Sequence, residues 1–230
     1  MEVTPAYEAV LAAGAAERHA EHVRGMRRAF EARTGAFTPE DPWFEARSRA
    51  FWDDAVTAGG FARHVAAEVA ESPWVDAFGR AHRGLFLARL DVDADDTARL
   101  DAGAFGAAGT ARLDAELWVL EDVWGGADFL VGAPGEGLRE ALLASIHSGS
   151  LLDGRVVARD EPTMLALLPG AVFHPADATE PIHVVLEAAR ARDVATGTVL
   201  DALLRMERNL RSLSRVKAAY AYRPDALWKP

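Results

Sequence analysis

The hydrophobic period of this chain changes near Gly84, and that change excludes both an all-helical bundle and an all-β sandwich. Before it, Tyr7, Val10, Leu11, Val23, Met26 and Phe30 recur at spacings that keep to one helix face. From Gly84 the period is two, and Leu85-Phe86-Leu87-Ala88-Arg89-Leu90-Asp91-Val92 suits a strand. The chain therefore reads as α+β, with N-terminal helices, a central small antiparallel β-sheet or barrel, and a C-terminal helical pair.

Local signals fill in this outline. Thr4 and Pro5 suit the N-cap and first position of a helix that Gly35 ends. A second helix starts at Asp41-Pro42 and turns Phe44, Phe51, Trp52 and Val56 inward. Gly59-Gly60 breaks it, Phe61, Val65 and Val69 continue a shorter one, and Ser72-Pro73 opens a segment running to about His82. In the β part, residues 115–121 form a strand and 129–131 return from a Gly125-Gly126 turn, whose glycines tolerate positive φ. A short helix spans Leu138–Ile146, and a further hairpin pairs 154–158 with 164–168. Helices resume after His174, one capped by Asp177 or Thr179 and running to about Arg192. The last runs from Thr196 or Thr198 to near Tyr220. With no linker or repeat, residues 1–230 read as one compact unit with helical (1–83), mainly β (84–175) and helical (176–230) parts.

Composition narrows the chemistry. Of 230 residues half are hydrophobic, so a sizeable core is available, and none is Cys, which removes disulfides, thiolate catalysis and Cys-held metals. No apolar run reaches the ~20 residues of a membrane span, and Glu2 stands where a signal peptide needs positive charge. A cytoplasmic protein with no membrane partner is expected. The net charge of −10 is uneven: residues 1–83 hold 10 basic and 13 acidic groups, 84–175 hold 6 and 15, and 176–230 hold 9 and 7. The acidic middle repels polyanions, so nucleic acid has access only through the C-terminal helix.

Four motifs fail on their chemistry. Gly132-x4-Gly137 has the spacing of a phosphate loop, but Leu138-Arg139 stands where Lys and a hydroxyl are required. Asp91, Asp93 and Asp95 begin a calcium-loop pattern that lacks Gly at the sixth position and Glu at the twelfth. His19 and His22 share a helix face, as a metal site needs, yet a mixed-charge surface helix gives the same pattern. His147-Ser148-Gly149-Ser150 sets a His beside hydroxyls without a nucleophile elbow. No metal site is assigned, and no cofactor is indicated.

Two constellations remain. His174, Asp177 and His183 gather where the β part hands over to a helix, and a His–carboxylate pair there suits proton transfer. On the last helix, Arg205, Arg208, Arg211 and Arg215 form a stripe, opposite the apolar Val199, Leu203, Met206, Leu210 and Leu213. The stripe suits an acidic protein partner or phosphates. A non-enzymatic binding or adaptor protein is the expectation these features support, chiefly with a protein partner. The alternative is a small hydrolase or acid–base enzyme built on His174 and Asp177.

Overall fold

Apolar stripes at helical spacing set the N-terminal layer. The computed structural model describes residues 3–69, 72–91, 117–132, 134–158, 165–213 and 215–228. Five helices come first: α1 (Val3–Gly14), α2 (Ala20–Thr34), α3 (Phe44–Val56), α4 (Phe61–His64) and α5 (Ser72–Gly79). Their inner faces bury Val10, Phe30, Phe51, Phe61 and Phe78 in one cluster. The expected single helix up to Gly35 is two. Ala16 is extended (φ −71°, ψ 136°), and a 3-10 turn at Glu17–His19 redirects the chain into α2. Thr4 and Pro5 lie inside α1, which begins at Val3.

The period-two segment forms β1 (His82–Asp91) at the centre of a curled antiparallel sheet, an open half-barrel. β2 (Leu117–Asp122) flanks it on one side and pairs in turn with β3 (Asp128–Val131). β4 (Leu151–Val157) flanks it on the other and pairs with both β5 (Ala166–Leu167) and β6 (Val172–Phe173). The β2–β3 turn closes at Gly126, whose φ of 73° would strain any side chain. The expected strand residues Val92, Ala115, Glu116 and Met164, with Asp93 and Asp95, lie outside the described residues.

Both faces of the sheet are covered, so the middle of β1, residues 85–88, is a continuous apolar run. Phe86 and Ala88 face α6 (Glu136–Ser148), together with Trp118, Leu120 and Leu142. Leu85 instead packs with Leu151 against the C-terminal helices α7 (Thr179–Arg190), α8 (Thr196–Ser212) and α9 (Ala218–Ala221). The helix expected to run to near Tyr220, α8, stops at Ser212, because Leu213 is extended and Arg215 sits at φ 61°.

Buried carboxylates and their arginine partners tie the three parts together. Arg33 of α2 donates to Asp54 (2.6 Å) and to Asp201 of α8 (3.0 Å). The second oxygen of Asp54 takes Arg155 of β4 at 2.7 Å. Arg83 of β1 bridges Asp153 (2.7 Å) and the second oxygen of Asp201 (2.6 Å). Next to this chain, Asp53 accepts from the Tyr7 hydroxyl at 2.6 Å and from the Gly170 N–H at 2.9 Å. The second contact presses the β5–β6 turn onto α3. A Cβ on Gly170 would lie 2.6 Å from Asp53 Cγ, so only glycine fits there.

Candidate binding cleft

Where that turn meets the helices, a cleft of about 550 Å³ opens between α1, α3, the start of α6 and the end of α8. Its rim carries the exposed Thr4, Arg49, Gly135, Glu136 and Pro169, and its floor the buried Tyr7, Arg47, Leu168, Val172 and Glu207. The walls are mainly apolar, with Leu138, Ala141, Leu167 and Phe173. This volume falls in the range of small-molecule sites, roughly 300–1,000 Å³.

Arg47 is the unusual member. It falls one helical turn from Phe51 on the inner face of α3 and is only 1% exposed. Its Nη2 donates to the Leu204 carbonyl and to Glu207 (2.8 Å). The other Glu207 oxygen accepts from Arg211 Nε. Two guanidinium groups thus share one carboxylate. The Nε and Nη1 of Arg47 are buried without a partner, as is Nε1 of Trp43, which lines the same cleft. Each buried unpaired donor costs about 1–3 kcal/mol. Burial pushes the Arg47 pKa down, with Glu207 the foremost opposing influence, yet an arginine keeps its charge. Beneath the cleft, burial raises the Asp53 carboxyl to about 6 and drives the Tyr7 phenol well upward.

The start of α6 completes the rim. Gly135 caps this helix with no side-chain hydrogen bond, so its first-turn N–H groups carry the positive end of the dipole. The glycine-rich segment that fails as a phosphate loop therefore supplies one lip of the cleft.

The candidates read from sequence are arranged differently. His174 follows β6 and is 1% exposed, with Nδ1 2.7 Å from the Tyr222 hydroxyl and Nε2 unpaired. Burial lowers its pKa to about 4, which keeps the imidazole neutral. Asp177 and His183 are exposed. Asp177 accepts the Ala218 N–H at 3.4 Å rather than capping α7, whose N-cap is Ala178. Among the described residues no hydrogen bond joins His174, Asp177 and His183.

The arginine stripe is largely engaged within the chain. Arg205 donates to the Arg33 carbonyl, Arg208 to the Ala36 carbonyl at 3.0 Å, and Arg211 to Glu207. Arg215 lies beyond the helix and is exposed. Elsewhere, His19 meets His64 (3.2 Å) and Glu68 (3.0 Å), and His22 stacks on His64. No group of three or more such side chains among the described residues is arranged to hold a metal ion. The Ser148 hydroxyl donates to the Ala144 carbonyl within α6.

Sequence reasoning missed Arg47, Trp43 and Glu207. The available signal was an arginine in register with Phe44 and Phe51 on the inner face of α3. No family model, curated protein or solved structure matches the chain, so the chemistry of this cleft rests on its own geometry.

Proposed function

We propose that the protein is a non-enzymatic binding protein whose ligand is a small molecule held in the cleft above Arg47. The observation that carries this reading is a concave and largely apolar space lined by Arg47 and Trp43, two residues that hold unpaired buried donors. Donors fixed beside an apolar wall recognise a ligand at little ordering cost, because the protein has already met the expense of holding them. Two further features support binding over acid–base chemistry. His174 is buried against Tyr222 and is not among the cleft residues, and Asp177 is turned to solvent. Engagement of Arg205 and Arg208 with backbone carbonyls favours the cleft over the basic stripe as the recognition surface.

The test is titration with a neutral naphthylamine dye that fluoresces in apolar sites, using the wild type and Ala141→Trp. Ala141 lies on the cleft wall and is partly exposed, so an indole there occupies the space without disturbing the buried core. One saturable site that weakens about tenfold or more in the variant supports the proposal. Equal binding by both proteins, or none by the wild type, defeats it.

A further inference from the structure

We infer that the ligand of this cleft is an amphipathic monocarboxylate, with its carboxylate at Arg47 and its apolar body along Leu138 and Leu167. This inference rests on the binding reading above and adds the ligand's charge and shape. The charge follows from counting the groups that face the cleft. The buried Arg47 and the half-exposed Arg211 share Glu207, and both Glu207 oxygens are already bonded. These three groups together keep an excess of one positive charge. At the rim, Arg49 and Glu136 offset each other. Buried charge is retained where it is paired and hydrogen-bonded, and Arg47 is only half served, with Nε and Nη1 still to donate. A single anionic group fills that deficit.

Two features separate a carboxylate from a phosphate. A dianion would exceed the single positive excess and bring a second negative charge toward Glu136 at the mouth. The apolar walls also offer a phosphate's remaining oxygens few partners, whereas a hydrocarbon body gains by leaving water there. The uncapped α6 N-terminus adds a favourable potential for one negative charge, though it would not make a site without Arg47.

The experiment is displacement of the neutral dye by decanoate and by decanol at pH 8, which share a chain and differ in headgroup. Decanoate is expected to displace the dye about tenfold or more effectively than decanol. That preference should shrink to about threefold or less in Arg47→Gln, and also in Arg47→Lys, which keeps a cation against Glu207 if the first variant fails to fold. A measurement on the wild type stands independently: decanoate, but not decanol, should shift the Arg47 Nε–H signal in a nitrogen–proton correlation spectrum. Equal displacement by acid and alcohol, displacement by neither, or an unmoved Arg47 signal overturns the inference while dye binding still upholds the cleft. Displacement by inorganic phosphate at concentrations comparable to decanoate's also overturns it. Failure of the dye to bind removes the underlying reading as well.

Discussion

Two buried groups of this fold titrate in opposite senses, so each conceals the other's effect on stability. Asp53, sealed between Tyr7 and Gly170, has its pKa raised from 3.8 to about 6, chiefly by burial. Its contribution is fully present below pH 3.8 and is lost as pH rises through 6, because the folded state binds the proton more tightly. His174, sealed against Tyr222, has its pKa lowered from 6.5 to about 4, again chiefly by burial. Its contribution is present above pH 6.5 and is lost as pH falls through 4. At 1.36 kcal/mol per pH unit, each amounts to about 3 kcal/mol across nearly the same window. In the wild type the two slopes oppose and largely cancel between pH 4 and 6. Asp53→Asn removes one of them. Urea unfolding of the variant at intervals from pH 4 to 7 should show stability falling on acidification by about 3 kcal/mol more than in the wild type. His174→Asn, which retains a polar partner for Tyr222, should show the reverse difference. Profiles for Asp53→Asn and the wild type that run parallel over this range would refute the argument.

Other expectations follow from named contacts. Gly170→Ala drives a methyl into Asp53 and the Arg49 carbonyl, and should cost about 1–3 kcal/mol in denaturant unfolding. Arg155→Met leaves the buried Asp54 with only Arg33, and should cost about 3 kcal/mol or more by the same measurement. His183→Ala alters an exposed site and should leave stability within about 0.5 kcal/mol of the wild type. Arg208→Gln removes a charged donor to the Ala36 carbonyl and should lower stability by about 1 kcal/mol or less.

The fold was legible wherever residues signal by period or by turn chemistry. The switch at Gly84 located β1, and Gly125-Gly126 located the β2–β3 turn. Ser72-Pro73 marked a true helix start, while Thr179 is the first residue of α7 and not its cap, which is Ala178. Residues 172–173 escaped notice as a strand because two residues carry no period; they pair only because β4 offers them Leu152 and Asp153. The end of α8 escaped for another reason: its apolar spacing runs on through Leu213, while the backbone leaves the helix there. The charged network beside the cleft was harder still. Asp53, Asp54, Arg83, Asp153 and Arg155 look like surface residues to any pattern that equates charge with solvent, yet they are buried in mutual contact or nearly so. A buried ion pair joins residues far apart in sequence, and a single sequence holds no trace of that pairing. Only Arg47 left a local clue, through its register on α3.

The pairing of Arg33 with Asp201 and of Arg47 with Glu207 also constrains how the molecule can be made. During synthesis the helical layer emerges first; Arg33 can meet Asp54 at once and waits only for its second carboxylate, whereas Arg47 must wait for Glu207, 160 residues downstream. β1 likewise waits for β4, with Arg83 opposite Arg155. Until α8 leaves the ribosome, Arg47 in particular has no reason to enter the core, since an unpaired buried cation is costly. The N-terminal third therefore cannot complete its packing vectorially. Contacts of such long range slow folding and extend the time that apolar faces stay exposed. Nascent chains halted before Thr196 should remain sensitive to protease, and native-like resistance should arise abruptly as α8 is released.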